Sequence, residues 1–528
     1  MKKLTIYLTA VVGIMLFTKC IDDTGNYTYQ DPEAVTPIIL SEFAANYTAI
    51  MLEPFVLDPR MAGNEVDYDY FWCTYPHGTT TQGRRDTIGR ERKLDYNVGL
   101  APGAYKLIFQ ARDKKTGISA FQRTIITVTS TFSSGYFINK YENGRTDVDF
   151  IDGNGVLRPN ILKTINGDDL PGKPIRSTLS DRYCYPVTDD AGNTTVKSWV
   201  YTFMICSDED MRIYNANEMT LVKDWDNAFM ETPAVKKPQG VWGTSGGFMM
   251  LNNGELHTVG GATYSDGCFG YPYPNEGLKL SGHGCVINSN MAFFDENAGA
   301  LVGYSNTQNR YAYINPYPGY EQHHFTNQEV LFLGTQHNYL NASARGWALL
   351  RSKNAGEVGK LRLVDLMGGS FNTVQAMVYY GSYEVPAEFT NVGDGKVFCM
   401  QYGGGTGAAA SITSILYYST GDNNVHYYNQ NNQTRKLNAV TIPADEKIAY
   451  IFHNYDWACN NHPSYIHADA PNNFLVLSNK GGNWVLRVYD MVGLTHDIDA
   501  ASGPKETYTG TGEANSLIFR EPHTQRTW

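Results

Sequence analysis

The stretch GGFMMLNNGELHTVGG, residues 246–261, sets the interpretation of most of this sequence. A short apolar run meets a polar turn of Asn, Gly and Glu, and a second apolar run follows at once. Short apolar runs bounded by turn residues are typical of β-strands, and two in succession predict a β-hairpin. We expect no helix of ordinary length in the chain.

The same plan recurs along the chain after about residue 132. It is shared by six further stretches: SGYFINKYENGRTDVDFI (134–151), WVYTFMICSDEDMRIYN (199–215), MAFFDENAGALVGYS (291–305), WALLRSKNAGEVGKLRLVDL (347–366), SILYYSTGDNNVHYYN (414–429) and FLVLSNKGGNWVLRVYD (474–490). The turn centres of these hairpins, about seven in all, lie roughly 45 to 65 residues apart. Such a period predicts a β-propeller of about seven blades over residues 132–528. A run of further sandwich domains is the alternative, but the turns recur without the extended linkers that such domains need.

Residues 35–130 show a different pattern, with short alternating runs such as YDYFWCTY and AYKLIFQARD between polar turns. Alternation rich in Tyr, Phe, Val and Ile predicts strands. Trp72 beside Cys73 is typical of the core of an immunoglobulin-like sandwich. The sequence is therefore all-β, with one N-terminal immunoglobulin/PKD-like sandwich followed by the propeller.

The N-terminus predicts export. Lys2 and Lys3 precede an apolar run, 4–17, that is too short for a transmembrane span of roughly 20 residues. Cys20 then stands where a bacterial lipoprotein signal is cut and the thiol acylated, although Lys19 departs from the small residue usual before that cysteine. We expect a signal peptide at 1–19 and a lipidated tether at 20–34, which anchors the chain through Cys20. An ordinary signal peptide with an incidental cysteine is the alternative.

The string CIDDTGNYTYQDPEAVT, residues 20–36, resembles the start of the PKD-like family of surface lipoproteins. The matching residues are Cys20, Asp22, Asp23, Gly25, Asn26, Tyr27, Tyr29, Glu33, Val35 and Thr36. The acidic pair after the cysteine resembles the signal that sends lipoproteins to the outer face of the outer membrane. The resemblance implies an accessory subunit of a SusC/SusD-like import system. Its partners would be a SusC-like TonB-dependent transporter and a SusD-like lipoprotein, and its ligand an oligosaccharide or a peptide.

Composition supports an extracellular all-β protein. The chain has 51 Gly and 37 Tyr but only 18% charged residues. A net charge of −11 argues against nucleic acid and anionic lipid surfaces as partners. With Cys20 set aside, seven cysteines remain, so at least one is unpaired within the chain. Cys268 and Cys285 flank a Gly- and Pro-rich loop and are the best disulfide candidate.

Aromatic residues in stiff loops are the candidate ligand-binding residues. YPYP (271–274) and NPYPGY (315–320) hold tyrosines among prolines, which fix φ and stiffen a loop. Rigid exposed aromatic rings suit sugar stacking, peptide capture or protein contact. The alternative is that these rings pack between neighbouring blades. The candidates are Tyr271, Tyr273, Tyr317, Tyr320 and Trp242.

Catalytic and metal-binding motifs are weak. The stretch 453–469 brings together His453, His462, His467 and two aspartates, but their spacing matches no familiar metal site. We therefore predict no metal and no cofactor, and interpret this stretch as a hydrogen-bonded loop between blades. A propeller-based hydrolase or lyase acting on surface polysaccharide is the second hypothesis, and a purely architectural protein the third. Sequence singles out no pair of catalytic carboxylates.

Overall fold

The computed structural model describes residues 36–77, 86–189, 191–244, 247–260, 266–274, 277–287, 290–305, 310–316, 325–336, 345–368, 377–401, 414–455, 472–492 and 496–520. The chain divides into two compact units, Met1–Thr129 and Ser130–Trp528. Both are built from strands, so the predicted all-β class is confirmed. No helix in the described ranges is long and apolar enough to cross a membrane.

The first unit consists of two small sheets around one core. Its strands are β1 (Asn46–Ile50), β2 (Pro54–Leu57), β3 (Tyr68–Pro76), β4 (Asp86–Gly89), β5 (Leu94–Asn97), β6 (Gly103–Asp113) and β7 (Ser119–Thr129). One sheet has the order β1-β7-β6-β3-β4, with β1 parallel to β7, and the other pairs β2 with β5. A 3₁₀ turn, Glu65–Asp67, leads into β3.

Trp72 is the centre of that core, as its sequence context predicts. It is fully buried, its ring lies 4.6 Å from that of Phe109, and its indole Nε1 donates to the carbonyl of Glu91 at 3.0 Å. A buried indole needs such an acceptor, because an unpaired N–H in an apolar core is costly.

The second unit is a ring of sheets, which we call blades 1 to 7 in chain order. Blade 1 contains β8 (Gly135–Glu142), β9 (Arg145–Asp152), β10 (Leu157–Arg158) and β11 (Leu170–Pro171). Blade 2 contains β12 (Pro174–Thr188), β13 (Thr194–Ser207), β14 (Met211–Asn215) and β15 (Leu221–Lys223). Blade 3 contains β16 (Pro238–Thr244), β17 (Gly247–Asn252) and β18 (Glu255–Gly260). Blade 4 contains β19 (Leu280–Ile287), β20 (Asn290–Asp295), β21 (Ala300–Ser305) and β22 (Arg310–Tyr313).

The remaining strands form the last three blades and close the ring. Blade 5 contains β23 (Asn315–Pro316), β24 (Gln328–Gln336), β25 (Arg345–Ser352), β26 (Leu361–Gly368) and β27 (Met377–Glu384). Blade 6 contains β28 (Val397–Met400), β29 (Ile415–Ser419), β30 (Asn424–Asn429) and β31 (Thr434–Thr441). Blade 7 contains β32 (Lys447–Tyr455), β33 (Asn472–Lys480), β34 (Asn483–Asp490) and β35 (Glu506–Thr511), and the last strand is β36 (Glu513–Arg520). Among the described residues of this unit, the helical elements are α1 (Ile161–Asn166) and the 3₁₀ segments Thr131–Ser133 and Ala387–Asp394.

β36 closes the ring by pairing antiparallel with β8, so blade 1 is built from both ends of the second unit. With β36 as the inner strand of blade 1, every blade has an inner strand that contacts the inner strands of the two neighbouring blades. Among the described residues these strands are β36, β12, β16, β19, β24, β28 and β32, in order around the ring. A closed circuit of seven inner strands defines a seven-bladed propeller, and the predicted fold is confirmed.

The seven predicted hairpins are the second and third strands of the seven blades, from β8–β9 to β33–β34. These strands are covered on both faces by neighbouring blades, so their side chains form near-continuous buried runs. β17, for instance, is buried at every residue. Large buried clusters lie between successive blades, such as that of Phe248 with Tyr183. The core is therefore a set of layers between blades.

Most inner strands carry an irregularity close to their first residue. The pairing with the second strand shifts register in six of them, between Pro174 and Arg176, Pro238 and Gly240, Leu280 and Gly284, Val330 and Phe332, Ile448 and Tyr450, and Ala514 and Ser516. A β-bulge bends a strand locally and re-aims its side chains. The repetition of this bulge around the ring gives one end of the central channel a distinct lining.

Candidate functional site

The central channel opens at two ends, and we call the end where the inner strands begin the channel mouth. Two contacts show that these strands run in the same direction. Asn515, near the start of β36, donates through Nδ2 to the carbonyl of Pro174 at the start of β12. Gln336, at the end of β24, donates to the carbonyl of Gln401 just after β28, at 2.7 Å. Because each inner strand is covered by its own blade and by two neighbours, its exposed side-chain surface opens onto the channel.

Arg176 is the most unusual residue at the channel mouth. It is the third residue of β12 and follows the bulge directly. Its side chain is exposed to solvent. Surrounding protein atoms nevertheless lower the pKa of its guanidinium by desolvation. The group is therefore enclosed by protein while part of its side chain still contacts solvent. Both observations fit a side chain that projects into the channel. A guanidinium remains charged in such a place because its ordinary pKa exceeds 12.

The groups around Arg176 carry no compensating charge. The ring of Trp242, on the next inner strand, lies 5.3 Å from the guanidinium carbon, a cation–π contact. The other groups whose electrostatic influence reaches it are Tyr450, Cys206 and Cys285. Burial raises the pKa of Tyr450 and of each thiol to about 12, which leaves all three neutral at physiological pH. Within the described residues, Arg176 forms no ion pair and its guanidinium donates no hydrogen bond.

His283 on β19 lies on the opposite side of Arg176 from Tyr450 along the ring. Its side chain is exposed, yet burial lowers its pKa, with Glu296 opposing and Arg176 adding to that effect. The imidazole is therefore neutral at pH 7 and offers a hydrogen-bond donor and an acceptor. Arg176 therefore interacts electrostatically with His283 on blade 4 and with Tyr450 on blade 7, as expected for a side chain near the ring axis.

Aromatic side chains occupy the inner strands of blades 5 and 6. Phe332 on β24 and Phe398 on β28 are half-buried, and their ring centroids are 5.6 Å apart. The Phe332 ring lies along Gly334 of its own strand, where a Cβ would come within 2.3 Å of it. With Tyr450, these rings give the channel an apolar wall, while Arg176 and His283 form a polar one.

Lysines surround the channel mouth. In five blades a lysine is the first residue of the inner strand or directly precedes it, and each is exposed: Lys173, Lys237, Lys279, Lys396 and Lys447. Lys279 pairs with Glu296 at 2.7 Å, whereas the other four form no ion pair with a described residue. Gln328 and Glu513 begin the two remaining inner strands, β24 and β36. The rim therefore carries both signs of charge, because exposed carboxylates, among them Asp208, Glu296 and Glu513, lie at the same end of the inner strands.

A second concave site, of about 290 Å³, lies in blade 1 between α1 and the turn after β8. It contains three carboxylates, each with a structural partner. Asp147 accepts from the backbone N–H of Val148 at 2.7 Å and of Leu162 at 3.0 Å. Asp169 pairs with Arg145, and Glu142 lies 3.5 Å from Lys140. Burial raises the pKa of Asp147 to about 6, although the backbone donors oppose the shift. These carboxylates hold α1 and the β8–β9 turn in place.

The aromatic residues predicted to bind ligand divide into three groups. The prediction that Trp242 binds ligand is wrong, because its side chain is 1% exposed and its Nε1 donates to the carbonyl of Gly284 at 3.2 Å. It supports Arg176 from below and offers no free face. Tyr273 is half-buried against Tyr304 at 5.4 Å, as the inter-blade alternative predicts. Tyr271 is 65% exposed, whereas Tyr317 and Tyr320 lie outside the described residues.

The prediction of a disulfide between Cys268 and Cys285 is also wrong, because both cysteines are free in the structure. The Cys268 thiol lies 3.4 Å from Lys223 Nζ and 3.6 Å from the carbonyl of Asn227. The Cys285 thiol is buried on β19, close to Gly346 of the next blade. The two side chains face different elements, so the loop between them does not bring them together.

The histidine-rich stretch 453–469 is described only at its beginning. His453 is 4% exposed, and its Nε2 lies 3.2 Å from Asn472 Oδ1. Burial lowers its pKa to about 4. His462 and His467 lie outside the described residues, as does Cys20. The described residues contain no group of three or more His, Cys, Asp or Glu side chains arranged to hold a metal ion.

Comparison with known proteins gives one family match. A model described as the PKD-like family matches residues 20–174, which run through the first unit and β8–β11 and end at the first residue of β12. No curated protein matches the sequence.

Two solved structures are similar in fold at 10% sequence identity. One is a quinonprotein alcohol dehydrogenase-like protein from Bacteroides thetaiotaomicron, with a TM-score of 0.44 over 92% of this chain and 99% of that one. The other is BBS1N in complex with ARL6DN, with a TM-score of 0.30 over 66% of this chain and 90% of that one. The architecture of this chain therefore rests on its own strand pairings.

Sequence reasoning missed Arg176, His283 and the lysine rim. The available signal was weak but present: PGKPIR, VKKPQG and EGLKL each place a lysine just before an apolar or proline residue that opens a strand. Recognising it requires knowing that these segments begin the inner strands, which becomes clear only when the ring is closed.

Proposed function

We propose that this protein is a lipid-anchored protein of the outer-membrane surface that binds nutrient at the channel mouth. In this proposal it acts as an accessory subunit of a SusC/SusD-like importer. The N-terminal signal, Cys20 and the acidic pair after it support the anchoring, and the PKD-like match over residues 20–174 is in keeping with a surface protein. A tether at 20–34 keeps the propeller near its transporter and raises its effective concentration there.

The observation that carries ligand binding is the uncompensated guanidinium of Arg176 in an enclosed but accessible position. An enclosed charge without a partner costs folding free energy, so a protein retains one where a ligand supplies the counter-charge. Neutral donors and aromatic rings beside it complete the usual composition of a binding site. Hydrolysis of a glycosidic bond uses two carboxylates flanking that bond. The described groups whose electrostatic influence reaches Arg176 are instead a phenol and two thiols, with a neutral imidazole nearby, and this composition supports binding.

The test is a pull-down from detergent-solubilised outer membranes with a C-terminally tagged chain. The matched control is Cys20→Ala, which removes the acylation site and leaves the folded units unchanged. We expect a TonB-dependent barrel and its SusD-like lipoprotein to co-purify with the wild-type chain and to be depleted from the variant. Recovery of the wild-type chain alone contradicts the accessory role, and equal membrane retention of both proteins contradicts lipidation at Cys20.

A further inference from the structure

The channel mouth holds one strong cation with several neutral neighbours, and this imbalance points to the charge of the ligand. Arg176 is charged, whereas His283, Tyr450, Cys206 and Cys285 are neutral at pH 7. A guanidinium matches the geometry of a carboxylate through two parallel N–H···O bonds. A phosphate monoester can form the same paired hydrogen bonds with a guanidinium, so inorganic phosphate is the competitor that distinguishes the two anions in the test below.

The remainder of the wall suits a ring-shaped ligand body. Phe332 and Phe398 are half-buried on adjacent inner strands, and the Tyr450 ring belongs to the inner strand that follows them around the ring. Flat aromatic faces accommodate the apolar C–H face of a pyranose, while His283 can donate to or accept from a hydroxyl group.

From these contacts we infer that the channel mouth binds a sugar carboxylate, a uronic acid residue at the end of a glycan, with its carboxylate on Arg176 and its ring beside the aromatic wall. This inference rests on the proposed binding function and specifies its ligand. Exposed lysines and carboxylates both lie at the rim, so the attraction for the anion is assigned to Arg176 itself. Trp242 holds the guanidinium in place from beneath.

The orientation of Arg176 depends on the bulge between Pro174 and Arg176. Arg176 pairs with Cys206, so both side chains lie on the face of blade 2 that packs against blade 3, where the guanidinium contacts Trp242. Without the extra residue, the alternation of side chains along β12 would turn Arg176 towards blade 1. The equivalent bulges in five other inner strands point to a shared construction of the mouth.

The test is calorimetric titration of the purified full chain in detergent with a glucuronic acid-terminated disaccharide and with the corresponding glucose-terminated disaccharide. We expect the acidic sugar to bind at least about tenfold more tightly, because a charge-assisted hydrogen-bond pair is lost with the neutral sugar. That preference should decrease as salt rises.

Arg176→Gln should abolish the preference and leave at most the weak binding of the neutral sugar. The matched control is Arg182→Gln, because Arg182 lies on the same strand and stacks at the same 5.3 Å on an aromatic ring, that of Trp199. Arg182→Gln should bind like the wild type. Circular dichroism establishes that each variant is folded, and the wild-type comparison of the two sugars decides the inference if Arg176→Gln is not.

Equal binding of the two sugars, or an Arg176→Gln chain that retains the preference, overturns the inference. Inorganic phosphate that displaces the acidic sugar at lower concentration than acetate overturns the assignment to a carboxylate. Binding of an N-acetylated dipeptide with no binding of either sugar replaces the glycan by a peptide terminus. A failure here with a successful pull-down affects only the ligand class, since the pull-down does not depend on the sugar.

Discussion

Trp484 Nε1 donates a 2.8 Å hydrogen bond to Asp149 Oδ2, which joins the third strand of blade 7 to the third strand of blade 1. The other oxygen of Asp149 lies 2.9 Å from Nζ of Lys140. All three side chains are fully buried. Together with the pairing of β36 and β8, this network lies where the two ends of the second unit meet.

Asp149→Asn should strongly destabilise the propeller, because the buried Lys140 would lose its nearer counter-charge and keep only Glu142, at 3.5 Å. We expect the free energy of unfolding to fall by about 3–5 kcal/mol. Trp484→Phe removes the hydrogen bond together with part of a buried ring, and should cost about 1–3 kcal/mol. Urea denaturation followed by circular dichroism measures both values. The control is Asp445→Asn, which breaks an exposed pair with Lys480 and should leave the transition unchanged. Equal effects of the three substitutions would contradict the role given to Asp149.

Arg520, the last residue of β36, holds the closing strand to blade 2. It donates at 2.7 Å to the carbonyls of Phe132 and Ala216 and at 2.6 Å to Asn217 Oδ1. Its guanidinium lies 4.1 Å from the centre of the Tyr201 ring, and burial lowers its pKa to about 10.

Arg520→Ala leaves these acceptors unpaired, and each buried one costs about 1–3 kcal/mol. Arg520→Lys keeps a charge but loses the fork geometry, so it should fall between the alanine variant and the wild type. Thermal unfolding of the full chain measures the order, and Arg123→Ala, an exposed arginine of the first unit, serves as control. A lysine variant as stable as the wild type would show that charge alone is sufficient.

His453 should make the second unit sensitive to acid. Its pKa is about 4 in the folded chain and about 6.5 when unfolded. Between these values the unfolded chain binds more protons, so this contribution to stability is present above pH 6.5 and is lost as pH falls towards 4. The loss from pH 7.5 to pH 5 should be about 2 kcal/mol.

His453→Gln removes that titration, and the difference between wild-type and variant stability across the same pH range isolates it. The comparison is needed because Asp147 acts in the opposite direction. Its pKa is raised to about 6, so its contribution is greatest below about pH 4 and declines as pH rises through 6. Parallel pH profiles for wild type and His453→Gln would contradict the burial of the neutral imidazole.

Cys268 and Cys285 should both be free thiols. Denaturation without reductant, followed by alkylation and peptide mapping by mass spectrometry, should find each cysteine modified and no peptide that joins them. Cys285 should be protected in the folded chain, because it is 1% exposed and burial raises its pKa to about 12. Cys268 is more accessible and should react first. A bridged peptide would contradict the placement of these residues.

The seven middle hairpins were predictable from sequence because their information is local. In NNGE, the turn between β17 and β18, Asn253 and Gly254 take positive φ values of 49° and 81°, which few other residue types adopt. Trp72 was equally predictable, because an alternating strand with one large aromatic residue indicates a buried face. Trp242 was misjudged because glycines around it resemble a loop, whereas Gly240 and Gly284 make room for its ring against two strands.

From the sequence alone, the fold class, the number of hairpins and the buried Trp72 of the first unit could be predicted. Those features depend on short-range patterning, in which apolar runs and turn residues lie within a few positions of one another. The tertiary structure alone decided that β36 completes blade 1, that Cys268 and Cys285 face apart, and that Arg176 lies at the channel mouth. The first outcome depends on strands from opposite ends of the second unit, and the other two depend on contacts with neighbouring elements of the ring. None of these contacts is visible in a local sequence pattern.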